Sequence, residues 1–422
     1  MKPLTGSVIL LLSMVSLLVV MLPACSSDDG SPAEPAETTK PAETTAPAEE
    51  VVLTIGNITD QSGGGAAVLS IVDDAVGDVI KYYNENNLIP GVRVKMVSYD
   101  SAYDPAKEVP AYNYLKSKGA DIIIGNMPNS AVVLRPFINA DEIPFFSQSY
   151  TEEGFYPPAY LFSINVRTDR AVRALLEWIS ENDPDFPEDR PARIGGVNWD
   201  EPLSRTIFNS CKKYAQEHPD KFEWEGHYLT GRVFTWDVQA EGLKDCDYLM
   251  PPMAGLSTFA KEYRDSGYTG KFFGTDGHAA FMGLIEDARL WDELNGMYFI
   301  LPVGYWTDDT ELVNLAKDFI EARPDTQTYY DYGTSYLGPF ISYYGMLAII
   351  AEAASEVGAE NLNSETLYQT AQNFSTDLNG HEFGFSPASR NSFHSFGIYE
   401  LRAEDKNLFR VVPEWISVAE PE

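Results

Sequence analysis

The chain has 422 residues, with 30 Lys or Arg against 63 Asp or Glu, and a formal net charge of −33 at pH 7. Such acidity disfavours nucleic acid as a partner, because a protein that neutralises phosphates needs a basic surface. The three cysteines and five histidines show no metal-ligand spacing, so the sequence predicts neither a metal site nor a cofactor.

Residues 1–24 have the pattern of a signal peptide. Lys2 supplies a positive charge, and the apolar run over residues 8–22 is shorter than the roughly 20 helical residues that cross a bilayer core. The sequence Leu22-Pro23-Ala24-Cys25 resembles a bacterial lipobox. The resemblance implies that Cys25 is acylated with diacylglycerol and becomes the first mature residue, which anchors the protein to the membrane of the cell envelope. The alternative is a cleaved secretory signal with an incidental cysteine.

Residues 25–50 predict a disordered linker behind the lipidated cysteine. Beyond Cys25 the segment is almost entirely Ser, Asp, Pro, Ala, Glu and Thr, which cannot bury a core. Its prolines favour extended backbone at roughly 3 Å per residue, so the linker could hold a soluble domain up to about 75 Å from the membrane.

The remaining chain, about 370 residues from Val51, is longer than one hydrophobic core usually serves, so two lobes are predicted. In its first part, apolar strands alternate with helical patterns. The predicted strands are residues 52–56, 92–99, 122–125 and 144–146, and the predicted helices are residues 66–86, a segment ending at Lys118, and 132–139. This alternation predicts an α/β lobe with a doubly wound parallel sheet.

The alternation restarts after Asn165 and predicts a second lobe of the same class. Its strands are predicted at residues 193–197, 224–229, 247–250 and 271–274, and its helices at 171–181, 204–216 and 256–266. A strand ending at Pro302 leaves this unit, and helices over 310–322 and 334–357 return to the first lobe. The prediction is an N-terminal lobe of residues 51–165 plus 302–385 and a C-terminal lobe of 166–301 plus 386–422, joined by hinge crossings near Asn165, Pro302 and 384–387.

Four stretches of this pattern resemble the type I periplasmic binding proteins, specifically the branched-chain amino acid branch of ABC transporter substrate-binding proteins. They are Ile55-Gly56 through the Ser62-Gly63 loop, Tyr99 to Pro105, Ile124-Gly125-Asn126 leading to Asn129-Ser130, and Phe273 to Gly277. The resemblance covers residues 51–413. It implies two parallel-sheet lobes that close over a small molecule at the carboxyl ends of their strands.

The resemblance also implies roles for individual residues. A ligand carboxylate would be held in the first lobe, where the matching positions are Asn129, Ser130, Ser149, Tyr150 and Thr151. A ligand ammonium would meet Asp276 of the second lobe. Aromatic candidates to line the pocket are Trp199, Tyr305 and Tyr336.

Each role has a structural alternative. Asp276 precedes Gly277 and could shape a turn or cap a helix, and Ser149 and Thr151 could cap a helix before two glutamates. Trp199 could simply pack at a lobe edge. Whether Cys211 and Cys246 form a disulfide is also open.

Two departures from the resemblance bear on the ligand. The serine-rich run usual after the third strand is replaced by residues 127–132, which offer fewer hydroxyls, and Val68 stands where an aromatic lid residue is often found. Both departures weaken the case for leucine-like specificity, so the expected ligand is an amino acid or a related amide or aromatic acid, and a short peptide stays open. The expected partner is an ABC permease in the membrane, and the protein is expected to be a monomer.

Two other classes of function compete with transport. An enzyme is disfavoured, because the sequence lacks Gly-x-Ser-x-Gly, Walker A and His-Glu-x-x-His motifs. A sensor module that reports the ligand to a membrane receptor without transport would have the same fold and stays open.

Overall fold

The computed structural model describes residues 50–418. The predicted signal peptide, Cys25 and nearly all of the predicted linker lie outside these residues. In chain order, the strands are β1 (Val51–Thr59), β2 (Val92–Asp100), β3 (Ile122–Gly125), β4 (Phe145–Ser147), β5 (Leu161–Val166), β6 (Ala192–Trp199), β7 (Phe222–Thr230), β8 (Tyr248–Met250), β9 (Lys271–Thr275), β10 (Tyr298–Leu301), β11 (Ser375–Leu378), β12 (His381–Gly384), β13 (Asn391–Phe393), β14 (Ser395–Arg402), β15 (Asn407–Arg410) and β16 (Ile416–Ser417).

The helices alternate with these strands through most of the described chain. They are α1 (Ala66–Glu85), α2 (Glu108–Ser117), α3 (Ser130–Asp141), α4 (Glu152–Phe155), α5 (Thr168–Asn182), α6 (Pro202–Glu217), α7 (Asp237–Gly242), α8 (Leu256–Asp265), α9 (Asp276–Ala279), α10 (Met282–Ala288), α11 (Glu311–Glu321), α12 (Thr326–Asp331), α13 (Thr334–Val357) and α14 (Ser364–Ala371).

The strands form two sheets, each the centre of one lobe. The first sheet has the order β11-β12-β13-β5-β4-β3-β1-β2, and its strands β1 to β5 are parallel. The second has the order β15-β14-β10-β9-β8-β6-β7, with β16 paired to β14, and its strands β6 to β10 are parallel. The predicted α/β class with two mostly parallel sheets is confirmed.

The central parallel strands are apolar because both of their faces are covered. In β3, all four residues are buried, as expected for a parallel strand between two layers of helices. Helix α13 packs against α1, where the Tyr83 hydroxyl donates to the carbonyl of Tyr344 at 2.9 Å. By length and composition α13 could cross a membrane, but 72% of its most apolar window is buried within the fold, so α13 is a core helix.

The chain passes between the sheets three times. It leaves the first sheet after β5 and leaves the second after β10, close to the predicted crossings at Asn165 and Pro302. The third crossing lies at His394, not at the predicted residues 384–387. The reason is that β13 pairs in parallel with β5, so residues 391–393 remain in the first sheet.

Cys211 and Cys246 are both buried free thiols. Burial raises the pKa of each thiol to about 12. Neither side chain is therefore a reactive thiolate at neutral pH.

The cleft between the two lobes as a candidate ligand site

A cavity of about 190 Å³ lies between the two sheets, and we call it the inter-lobe cavity. It is bordered by the chain segments that follow the carboxyl ends of β3 and β4 in the first lobe and of β6, β8 and β9 in the second. The hinge segments and the start of α13 close it from the side. Its lining includes Val68, Tyr103, Asn126, Gln148, Ser149, Tyr150, Asn165, Asn198, Trp199, Glu201, Met253, Asp276, Phe281, Pro302, Thr334 and Ser342.

Asp276 is the first residue of α9 and lines the inter-lobe cavity. Asn165, at the end of β5, donates from Nδ2 to the Asp276 carboxylate at 2.8 Å, and the same nitrogen donates to the carbonyl of Gln148 at 2.7 Å. Burial raises the pKa of the Asp276 carboxyl, and the hydrogen bond from Asn165 partly offsets this. Asp276 is thus placed to accept a bond from a ligand cation, with Asn165 linking it to the first lobe.

His278 holds the turn that presents Asp276. Its Nδ1 accepts from the backbone N–H of Thr275 at 3.0 Å, and its Nε2 donates to the carbonyl of Pro251 at 2.9 Å. Because burial lowers the pKa of His278 to about 4, the ring is neutral, as these two opposite roles require. Sequence reasoning missed this residue, although the spacing from Thr275 is that of a capping box.

Ser149 and Tyr150, which follow β4, line the inter-lobe cavity from the first lobe. Among the described residues, neither hydroxyl has a hydrogen-bond partner, although both are buried. A buried hydroxyl without a partner carries a cost in free energy, which a polar ligand group would remove. Ser149 therefore has the chemistry predicted for binding a carboxylate, whereas the charged groups that act on the Tyr150 hydroxyl are Asp169, Arg167 and Glu152, which lie outside the cavity lining.

Three other first-lobe candidates lie away from the cavity lining. Thr151 caps α4, since its Oγ1 accepts from the backbone N–H of Gly154 at 3.1 Å, which is the alternative considered from the sequence. Asn129 and Ser130 stand at the start of α3, and Ser130 is fully buried with its hydroxyl next to the Glu108 carboxyl. The structure therefore brings none of these three together with Ser149 and Tyr150 around the cavity.

Of the three aromatic candidates, one lines the cavity and two lie outside its lining. Trp199 lines the cavity at the end of β6 and donates from Nε1 to the carbonyl of Val233 at 3.1 Å. Tyr336 is buried in the core, where its hydroxyl donates to Asp78 at 2.7 Å. Tyr305 packs against Tyr399, with ring centroids 6.3 Å apart, and is not part of the lining.

Tyr103, which sequence reasoning did not single out, supplies an aromatic ring at the cavity. It sits in the loop after β2 with φ +56°, and Gly65 leaves room for its ring, because a Cβ there would lie 2.9 Å from Tyr103 Cδ2. The Tyr103 hydroxyl donates to Glu201 of the second lobe at 3.5 Å, and Arg232 donates to the Tyr103 carbonyl at 2.9 Å. Tyr103 thus joins the lobes at a point away from the hinge, and it provides the aromatic group that Val68 does not.

The charged residues that line the inter-lobe cavity are all acidic. Its charged residues within the described chain are Asp276 and Glu201, and it contains no Lys, Arg or His. Burial raises the pKa of the Glu201 carboxyl, and the nearby Arg232 partly offsets this. The inter-lobe cavity is therefore an environment that favours a cationic group over an additional anion.

Two α/β lobes with parallel sheets, three crossings and a cavity at the strand ends define a two-lobed solute-binding protein. The family model described as periplasmic binding protein matches residues 52–406. The chain belongs to this family, and the predicted type I fold is confirmed. No match was found among curated protein sequences.

Solved structures show the same fold at low sequence identity. A branched-chain amino acid ABC transporter protein from Thermus thermophilus with bound valine is 18% identical, with 88% of this chain and 97% of that chain covered and a TM-score of 0.72. A fatty acid ABC transporter substrate-binding protein from Thermomonospora curvata is 15% identical, with 86% of this chain and 91% of that chain covered and a TM-score of 0.71.

A third structure is a solute-binding protein of an ABC transporter from Rhodopseudomonas palustris in complex with 3,4-dihydroxybenzoic acid. It is 14% identical, with 87% of this chain and 98% of that chain covered and a TM-score of 0.69. At these identities the similarity shows the fold and not the ligand.

Proposed function

We propose that this protein is an extracytoplasmic, lipid-anchored substrate-binding protein that captures a small molecule between its lobes and delivers it to an ABC importer. The ligand class we favour is an amino acid or a related amide or aromatic acid. The protein performs no catalysis in this proposal and acts by binding alone.

The observation that carries the proposal is the make-up of the inter-lobe cavity. Asp276 of the second lobe offers a carboxylate to an ammonium group, and Ser149 of the first lobe offers a buried hydroxyl without a partner in the described chain to a carboxylate. A zwitterion placed between them would satisfy buried polar groups on both sides at once, which links ligand binding to lobe closure.

The delivery step and the anchor rest on other observations. The lipobox-like sequence ending in Cys25 supports lipidation, and membership of the periplasmic binding protein family supports a location outside the cytoplasm. Neighbours in fold from Thermus thermophilus and Rhodopseudomonas palustris are described as parts of ABC transporters, which supports an importer as partner.

The test begins with native mass spectrometry of freshly purified protein, which reports any small molecule carried through purification. Calorimetry then compares wild type with Asp276→Asn, using valine and 3,4-dihydroxybenzoic acid as first probes. For an amine-bearing probe, the substitution should cost about 3 to 5 kcal/mol, roughly a hundredfold to a few thousandfold in affinity, because the buried cation loses its partner.

The matched control is Asp265→Asn, an exposed carboxylate on α8 of the same lobe, which should leave affinity unchanged. Melting temperatures of the unliganded variants should stay close to that of wild type. Retained affinity for an amine in Asp276→Asn would show that Asp276 only shapes its turn, and the amino-acid proposal would then fail.

A further inference from the structure

The two acids of the inter-lobe cavity stand on one sheet with a single strand between them. Asp276 follows β9 directly, and Glu201 follows β6 by two residues, with β8 between those strands. Neighbouring strands lie about 4.8 Å apart, so the ends of β9 and β6 are separated by roughly 10 Å.

Other contacts place the acids at opposite ends of the cavity. The Asp276 carboxylate accepts a hydrogen bond from Asn165, the penultimate residue of β5 at the first crossing. The Thr334 hydroxyl donates to the backbone carbonyl of Asp276 at 2.9 Å. Glu201 meets Tyr103, where the lobes touch away from the crossings. One acid therefore lies near the hinge and the other near the opposite contact between lobes.

The space between these ends is mostly apolar. Residues that line it include Leu69, Val72, Met253 and Phe281, and the aromatic side chains of Tyr103 and Trp199 also border the cavity. Apolar side chains favour a hydrocarbon segment, and aromatic faces attract cations. Among the residues that the structure describes, the lining has no basic side chain, and outside it Arg232 lies 4.7 Å from the centre of the Tyr103 ring and offsets part of the effect of burial on Glu201.

We propose that the ligand carries two basic nitrogens joined by a short aliphatic chain, one nitrogen bonded to Asp276 and the other to Glu201. The strand ends that carry the two acids lie roughly 10 Å apart and charge-assisted bonds are about 2.8 Å long, which leaves a gap between the two nitrogens. A short aliphatic chain spans such a gap. This inference rests on the proposed function and specifies its ligand.

The lining of the first lobe favours a diamino acid over a simple diamine as the ligand. A diamine would leave the buried Ser149 hydroxyl without a partner, whereas the carboxylate of a diamino acid can accept from it. L-Lysine is the simplest probe with an α-ammonium, a carboxylate and a second amine on an aliphatic chain.

The experiment compares L-lysine, L-norleucine and cadaverine by calorimetry on the full-length mature protein. L-Norleucine matches the carbon chain of lysine without the terminal amine, and cadaverine keeps both amines without the carboxylate. Wild type should bind lysine roughly tenfold to a hundredfold more tightly than either analogue, as expected for one charged hydrogen bond.

Glu201→Gln should remove the preference for lysine over norleucine and leave norleucine affinity nearly unchanged. Asp200→Asn is the control, because Asp200 is the adjacent acid but is exposed and paired with Arg205. This control should keep the preference. Circular dichroism and the melting temperature of each unliganded variant show that it is folded.

Two results would overturn the inference in distinguishable ways. Equal affinity for lysine and norleucine would show that no second ligand nitrogen binds Glu201, while the proposal of an amino-acid-binding protein would stand. If none of the three probes binds and native mass spectrometry finds a different small molecule, amino acids and diamines are excluded as ligands. The proposal that the protein binds a small molecule would still stand.

Discussion

Replacing Glu108 with Gln should make the protein more stable at neutral and alkaline pH. Glu108 is the first residue of α2 and is fully buried in the first lobe. Burial raises the pKa of its carboxyl from 4.5 to about 7, and the Ser130 hydroxyl offsets only part of this. The side chain is therefore favoured in its protonated form within the fold.

The magnitude follows from the two pKa values. Each pH unit between them corresponds to about 1.4 kcal/mol, so the difference between 4.5 and about 7 amounts to about 3 kcal/mol. Because the folded-state pKa is raised, this stabilising contribution is fully present below pH 4.5 and is lost as the pH rises through about 7. Gln has nearly the same shape and no charge, so Glu108→Gln escapes the loss.

Urea denaturation at pH 4.5, 6 and 8 measures the effect for wild type and Glu108→Gln side by side. The other carboxyl groups contribute equally to both proteins and cancel in the difference. The free energies of unfolding should be similar at pH 4.5 and differ by about 3 kcal/mol at pH 8 in favour of the variant. Glu85→Gln, an exposed acid on α1, is the control and should show a constant difference.

A difference in the free energy of unfolding between wild type and Glu108→Gln that does not change with pH would refute this prediction. A variant that is less stable than wild type at pH 8 would be a stronger refutation, because it would mean that the ionised carboxylate is stabilised where it lies.

Two further predictions concern the first loop and the membrane anchor. Gly65→Ala should destabilise the protein by about 1 to 3 kcal/mol in chemical denaturation, because its Cβ would meet the ring of Tyr103, whereas Gly64→Ala, with nothing within 4 Å in the described structure, should be close to neutral. Equal effects of the two substitutions would mean that the Tyr103 ring is free to move. Cys25→Ser should move the protein from the membrane to the soluble fraction or leave it unprocessed, as seen by cell fractionation, and unchanged membrane association with normal processing would contradict lipidation.

The sequence predicted most of the parallel strands, because buried strands need apolar residues on both faces, but it did not predict β5, although all six of its residues are buried. Residues 122–125 and the helix Thr334–Val357 have the predicted bounds, and β1 extends the predicted strand from 52–56 to Val51–Thr59. The position of the third crossing could not be predicted in this way. It depends on the pairing of β13 with β5, two segments far apart in the chain, and short strands such as Asn391–Phe393 carry little periodicity of their own.

A place in the cavity lining was predictable for residues at the end of a parallel strand or within three positions after it. Asp276, Ser149, Tyr150 and Trp199 all line the inter-lobe cavity for this reason, since the carboxyl ends of the strands meet there. Thr151 fails because the chain turns into α4 at that residue, and its hydroxyl is used to cap the helix. Which way a side chain points after a strand depends on the turn, and the sequence pattern does not specify the turn.

Glu201 and Tyr103 were missed for a different reason. Each is an ordinary loop residue by its local sequence, and they become neighbours only when the two lobes face one another. The positive φ of Tyr103 and the small size of Gly65 allow this meeting. Contacts between lobes are decided by tertiary structure, so no local pattern could have revealed them.

Several polar groups around the inter-lobe cavity are incompletely satisfied, as are buried side-chain atoms elsewhere in the described chain. Two hydroxyls without partners, on Ser149 and Tyr150, and two acids whose pKa values are raised by burial, Asp276 and Glu201, all line the inter-lobe cavity. The unpaired hydroxyls cost free energy, and burial disfavours the charged form of both acids even though Asn165 donates to Asp276 and Tyr103 donates to Glu201. A ligand that donates from nitrogens to the acids and accepts from the Ser149 hydroxyl would satisfy these groups together. The cavity is therefore better explained as a binding site than as a packing defect.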